Sequence, residues 1–185
     1  MSVGLFGGAF DPPHRGHVEL VRRAKDVLGL SQVIVLVSAH PGHKSVETPA
    51  DVRLELARAA FPDDTVLLDE HARTIDLLRA HPEWGDAWFV IGADEFGDFL
   101  SWKEPDEVLE RVRLAVGTRP GFPPERVQGV LDGLAQPERV RLFDMEPVPA
   151  ASRDLRQQLV EADLPPAVAE MIRREGLYQA EPRLH

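Results

Sequence analysis

The chain contains no cysteine, which excludes disulfide cross-links, thiolate catalysis and Cys-ligated zinc. It is also short of positive charge: 21 lysines and arginines face 31 aspartates and glutamates, for a net charge of −10. Gripping a nucleic-acid backbone needs a basic surface, so nucleic acid is not an expected partner. A small anion in a locally positive pocket is compatible with the same balance. No apolar run approaches the ~20 residues that span a bilayer, so no membrane association is expected. Strand-like sequence begins at residue 3 and leaves no place for a charged leader with an apolar core, so a cytoplasmic address is expected. Internal repeats, low-complexity tracts and interdomain linkers are missing too. The 185 residues read as one domain over 1–180, with a loose tail at 181–185.

What is present is a regular alternation. Short β-rich runs recur at Val3–Phe6, Val33–Val37, Val66–Leu68, Ala87–Ile91, Leu114–Val116 and Val140–Phe143. Most lack strict polar alternation, as expected of strands buried on both faces of a parallel sheet. Between them, Val18, Leu20, Val21, Ala24, Val27 and Leu28 form an apolar stripe at helical spacing that Gly29 ends. Val52 to Phe61 forms a second stripe, stopped by Pro62, and Ile75, Leu77 and Leu78 a third. This order predicts a doubly wound α/β fold with a mostly parallel sheet. Pro120, Gly121, Pro123 and Pro124 mark a loop. The C-terminal segment reads as helical, with Pro165-Pro166 opening the last helix.

The stretch "VGLFGGAFDPPHRGHVEL", residues 3–20, is the most informative. A first strand breaks at Gly7-Gly8, a loop with two prolines follows, and His14 and His17 flank the start of a helix. In an open α/β sheet ligands sit beyond the carboxyl ends of the strands. Glycines there let the backbone approach a ligand, N–H groups beyond them can face phosphate oxygens, and the helix terminus adds its positive end. Two imidazoles at that place can donate hydrogen bonds to a polyphosphate. A His-x-x-His metal pair is the competing reading, without an evident third ligand nearby; two surface histidines in a loop is the bland one. Neither a Gly-x-Gly-x-x-Gly dinucleotide fingerprint nor a Walker lysine is present, since His43-Lys44-Ser45 lacks the glycine before lysine.

The segment Gly7-Gly8-Ala9-Phe10-Asp11-Pro12-Pro13-His14-Arg15-Gly16-His17 resembles the signature of the His-x-Gly-His nucleotidyltransferases, and its wording is most similar to the bacterial nicotinate-nucleotide adenylyltransferases. The resemblance continues in "PGHKS", in "RTIDLL" at 73–78, in "FVIGADEFGDFLSW" with Gly92, Asp94 and Trp102, in "VGTRPG" with Arg119, and in "AVAEMIRREGLY". Two segments depart from it. Ala72-Arg73 replaces a Ser-Tyr pair, and the family's Ile-Ser-Ser-Thr-x-Ile-Arg motif appears as Ala150-Ala151-Ser152-Arg153-Asp154-Leu155-Arg156. Arg153 either compensates by charge or faces solvent.

The resemblance implies a Rossmann-like nucleotidyltransferase fold and adenylyl transfer from ATP to nicotinate mononucleotide, with magnesium riding on the ATP phosphates and no protein residue assigned to it. It implies that His14, His17 and Arg156 act on the phosphates. Gly7, Gly8, Ala9, Phe10, Gly92, Asp94, Arg119 and Ser152 complete the ATP site, and Lys44, Thr74 and Trp102 receive the acceptor nucleotide. Several of these residues have plainer readings. Asp94 could be an N-cap, Lys44 a solvated lysine, Arg119 half of a structural ion pair, and Trp102 partial core. Asp11, the carboxylate nearest the phosphates, also suits a turn. Trp84 and Trp88 are assigned to packing. The rival functions are transfer to nicotinamide mononucleotide or 4′-phosphopantetheine, and a nucleotide-binding module without turnover.

Overall fold

The computed structural model describes residues 2–42, 46–148, 152–157 and 161–179. Its strands are β1 (Ser2–Gly8), β2 (Leu30–Ser38), β3 (Thr65–Asp69), β4 (Trp88–Gly92), β5 (Arg113–Thr118) and β6 (Val140–Asp144). The helices are α1 (Arg15–Leu28), α2 (Ala50–Ala60), α3 (Thr74–Ala80), α4 (Ala93–Gly97), α5 (Pro105–Arg111), α6 (Pro124–Asp132), α7 (Ser152–Gln157) and α8 (Pro166–Glu175). The six strands form one sheet in the order β3-β2-β1-β4-β5-β6, and every pairing is parallel. This is the doubly wound fold that the alternation predicts.

Burial on both faces explains why the strands read as continuous apolar runs. Successive side chains of a strand point to opposite faces. Val33, Val35 and Val37 of β2 therefore join one core with Phe6, Val90 and Ala115. Ile34 and Leu36 join the other with Leu5, Phe89, Ile91, Leu114 and Val116. The first core is covered by α1, α2 and α8 through residues such as Leu20, Leu56 and Ile172, and Leu155 of α7 is buried in it. The second is covered by α3 to α6 through Ile75, Phe96, Leu109 and Val127. Each such fully buried Leu, Ile or Phe contributes about 1.5–3 kcal/mol.

Helix ends follow local chemistry where the sequence supplies it. Gly29 ends α1 with φ 62°, a left-handed conformation that glycine adopts without steric cost. Three helices escape the periodicity reading: α4, α5 and α6. Pro124, which reads as part of a loop, opens α6 from its first turn, as Pro105 opens α5, where a missing N–H costs nothing.

One charged residue belongs to the core. Arg53 of α2 is 1% exposed. Its Nη1 donates to the Ala9 and Ser38 carbonyls, both at 2.8 Å, and its Nε to the Thr48 carbonyl at 2.9 Å. It thereby pins the ends of β1 and β2 to the start of α2. Replacing it leaves three main-chain acceptors without their donor, each costing roughly 1–3 kcal/mol. Arg53→Leu is expected to lower the unfolding free energy by about 3 kcal/mol or more, read from the urea midpoint; a loss of less than about 1 kcal/mol would show that water replaces the guanidinium.

Candidate active site

Strands β1 and β4 are neighbours at the centre of the sheet, and the chain winds away from them in opposite directions. At such a switch point a crevice opens beyond the carboxyl ends of the strands. The register pairs Gly4 with Trp88 and Leu5 with Phe89; continued along both strands, it sets Gly8 level with Gly92. The two glycine-bearing segments of the sequence therefore converge on one crevice.

At its edge the first turn of α1 is capped by imidazoles. His14 is the N-cap, with φ −138° and ψ 175°. Its Nδ1 accepts the Gly16 N–H at 3.0 Å, and His17 Nδ1 accepts the His14 N–H at 3.1 Å. This is a reciprocal capping box in which histidines replace the usual Ser and Glu. A ring nitrogen that accepts carries no proton, so each neutral imidazole is fixed as the tautomer with its proton on Nε2. The two rings stack with centroids 3.8 Å apart, and Phe10 meets His17 edge-on at 5.0 Å. The three-residue spacing thus produces two rings of the same tautomer, side by side. His14 is 7% exposed, and burial pushes its pKa from 6.5 down to about 4. At neutral pH it is a neutral donor.

The loop leading to His14 is held from several sides. Phe10 has φ 51° and is 1% exposed. Its ring folds over Gly8, where an added Cβ would lie 3.0 Å from it. Gly7, Gly8 and Ala9 are half-buried at the crevice, and Phe10 has only its main chain to offer a ligand. Asp11, also 1% exposed, accepts the Tyr178 O–H on Oδ1 at 2.5 Å and the Glu47 N–H on Oδ2 at 2.7 Å. With both oxygens engaged inside the protein, this carboxylate is a structural junction. The Asp11 carbonyl in turn accepts Arg156 Nη1 at 2.7 Å, and Arg156 Nε lies 3.8 Å from the Glu47 carboxylate. Arg156 is thereby brought beside the histidine loop from 145 positions away. Of Ser152 only the backbone is described, in the first turn of α7, and Lys44 lies outside the described residues.

On the β4 side, Gly92 rather than Asp94 is the N-cap of α4. Its φ of −82° and ψ of 163° suit any residue, and an added Cβ would meet nothing within 4 Å. Neither backbone nor packing requires glycine here. Asp94, in the first turn of α4, accepts Arg119 Nη2 at 2.8 Å. Both side chains are more than half exposed, so the pair contributes little to stability, and each group can turn to a ligand.

Thr74 and Trp102, expected to receive the acceptor, lie on the other helical layer. Trp102 is half-buried, its ring 5.1 Å from Phe99 and 6.2 Å from Phe89. Phe99 is fully buried and anchors its segment, whereas Leu100 is 44% exposed. Lys103 reaches Asp76 of α3 at 3.4 Å, and Arg79 of α3 reaches Glu104 at 2.9 Å. The tryptophan segment is thus tied to the helix that begins at half-buried Thr74. Trp84 and Trp88 pack against the cores as expected. Among the described residues, no three His, Asp or Glu gather where a metal ion could sit.

The profile of the family described as cytidylyltransferase-like matches residues 5–174. "Probable nicotinate-nucleotide adenylyltransferase" of Rubrobacter xylanophilus is 33% identical over 202 residues, covering 99% of this chain and 94% of that protein. Its namesake in Thermus thermophilus is 35% identical over 196 residues, covering 97% and 100%. The chain belongs to this family. A fold relative lies further off: the Plasmodium falciparum nicotinic acid mononucleotide adenylyltransferase complexed with NaAD superposes with a TM-score of 0.75 at 18% identity, covering 96% of this chain and 97% of that one.

Within the nicotinate-nucleotide adenylyltransferase family fold, Arg53 and Tyr178 are contributions that sequence reasoning misses. Arg53 is one arginine in an amphipathic helix, and Tyr178 sits next to a tail that reads as loose. The geometry of the histidine and glycine positions can be tested directly. His14 titrates near 6.5 when unfolded and about 4 when folded, so between those values the unfolded chain binds more protons. Stability is then lost as pH falls from 6.5 to 4, by about 3 kcal/mol in all. His14→Asn keeps an acceptor for the Gly16 N–H without the titration. Urea midpoints at pH 4 to 7 should fall less steeply for it than for wild type; parallel slopes would place His14 in water. Gly92→Ala should leave the thermal midpoint unchanged or slightly raised, and should raise the KM for ATP about 10-fold, as for a methyl intruding on a bound ligand. An unchanged KM would mean that no substrate uses this space.

Proposed function

We propose that this protein transfers the adenylyl group of ATP to nicotinate mononucleotide, giving nicotinate adenine dinucleotide and pyrophosphate as a cytoplasmic step of NAD biosynthesis. A single nucleotidyltransferase domain over residues 1–180 carries both substrates. The observation that carries this reading is the stacked His14–His17 pair, with both rings held as Nε2-protonated tautomers at the start of α1; an added Cβ at Gly92 meets nothing within 4 Å. ATP enters as its magnesium complex, a substrate whose metal is held by phosphates and water.

A 5′-phosphate oxygen of the mononucleotide attacks the α-phosphorus of ATP, a P–O bond forms, and the bond to the β-phosphate oxygen breaks as pyrophosphate leaves. This needs no nucleophile from the protein, and the chain has no cysteine to supply a thiolate. Catalysis consists of holding two anions in line and stabilising the charge that moves onto the leaving group. His14 and His17 donate from Nε2 to the phosphates, joined by Arg156 and Ser152. The main chain of Gly7 to Phe10 lines the same side. Gly92 leaves room for the nucleoside, Asp94 releases Arg119 to accept from the ribose hydroxyls, and Arg119 turns to phosphate. On the other side Trp102 offers an indole face to the pyridine ring, and Lys44 meets the acceptor's phosphate. Thr74 stands near the pyridine carboxylate, where exposed Arg73 at the N-cap of α3 adds a positive charge that favours an acid over an amide.

Product formation is followed with ATP, magnesium and each of nicotinate mononucleotide, nicotinamide mononucleotide and 4′-phosphopantetheine. Nicotinate mononucleotide is expected to give a kcat/KM at least about 10-fold above either rival, the value of one well-placed charged contact. Pyrophosphate release no faster than in buffer, with every acceptor, would rule out the enzyme reading. A preference for one of the other two would change the substrate.

A further inference from the structure

The polar network around Asp11 has one member that the reaction itself does not require. Helix α8 packs Val168, Ala169 and Ile172 into the core that holds Leu56 and Ala57 of α2. It ends at Gly176 with φ 65°, and the Leu177 N–H returns to the Ile172 carbonyl at 3.1 Å. Tyr178, with φ 56°, is thereby turned back toward the first loop of the chain. Its hydroxyl donates to Asp11 Oδ1 at 2.5 Å across 167 positions.

We propose that Tyr178 is a positioning residue for the ATP side of the site, its hydroxyl fixing Asp11 and, through Asp11, both Arg156 and His14. The route to Arg156 is one bond long, because the Asp11 carbonyl accepts its Nη1 at 2.7 Å. The route to His14 runs through Pro12 and Pro13, whose rings lock φ and transmit the placement of Asp11 to the residue that follows. Asp11 Oδ2 is held by the Glu47 N–H, so Tyr178 supplies the second of two restraints on a carboxylate that is 1% exposed. Burial and the neighbouring carboxylate push the Tyr178 pKa well above its ordinary value; the hydroxyl keeps its proton and acts as a donor. Of the residues assigned to the acceptor, Lys44 lies outside the described residues, while Thr74 and Trp102 belong to the opposite helical layer and share no hydrogen bond with this network among the described residues. The effect of Tyr178 is therefore specific to one substrate. The inference rests on the reading of Arg156 and His14 as phosphate contacts.

Tyr178→Phe removes the hydroxyl alone. Binding of the analogue α,β-methylene-ATP with magnesium is measured by calorimetry, alongside the KM of each substrate and the thermal midpoint. The analogue's Kd is expected to rise about 10-fold, as for a lost hydrogen bond to a charged group, with the KM for nicotinate mononucleotide unchanged. In the Arg156→Ala background, Tyr178→Phe should add only the smaller loss that passes through His14, since the route to Arg156 is already cut. A lower midpoint with unchanged analogue binding would make Tyr178 a simple anchor of the C-terminal turn and overturn the proposal. Equal losses for both substrates, or additive losses in the double variant, would also overturn it. The binding arm needs no turnover. A wild-type protein that binds the analogue but forms no dinucleotide would refute adenylyl transfer and leave Tyr178 to be judged by affinity. A wild-type protein that does not bind the analogue would refute both.

Discussion

A helix must satisfy the N–H groups of its own first turn, and in α1 that obligation falls on the side chains that face the crevice. Each imidazole uses its Nδ1 within the cap, and only then is its tautomer defined. A serine or aspartate cap would close the turn equally well but would present no ring N–H donor beside it. The cap and the donor pair are one structure, and the spacing of three follows from it. The glycine pair before the loop and the core ring of Phe10 beneath it serve to place this turn at the end of β1.

The cost of placing the turn there is borne by polar groups in the interior. Asp11 and Arg53, each 1% exposed, do not pair directly within the hydrogen bonds described. Arg53 binds three carbonyls, and Asp11 binds a hydroxyl and a main-chain N–H. Buried charges are tolerated when their hydrogen-bonding capacity is met, and here it is met by main-chain groups at the ends of β1 and β2 and before α2. Ala9, Glu47 and Thr48 lie outside the strands and helices. The network therefore substitutes for secondary structure where the chain must stay irregular to approach a ligand.

Much of this was legible in the sequence because it depends on local periodicity. The six strands, the stripe of α1, its stop at Gly29 and the proline start of α8 are each decided by neighbours within a few residues. The convergence of Gly8, Gly92 and Arg156 was legible only through the resemblance, since composition does not say which strand lies beside which. Arg53 was not legible: an arginine in a half-apolar helix ordinarily faces water, and its burial depends on carbonyls from three separate segments. Asp94 as a possible N-cap is a local reading that the structure corrects, since Gly92 takes that place. Tyr178 lies so near the chain end that only the turn after α8 reveals its direction.

The open space at Gly92 sets a limit on how stable this fold can be. Glycine widens the range of conformations open to the unfolded chain, and at a position whose dihedral angles suit alanine that freedom lowers stability by roughly 0.4–1 kcal/mol. At Gly29 and Gly176 the same penalty is matched by a left-handed turn, and at Gly8 by a close contact. At Gly92, as at Gly129, neither is present among the described residues. On the function proposed, the gap at Gly92 is where the nucleoside of ATP sits. On that reading the resting protein is held slightly below the stability its own backbone permits, and binding completes it.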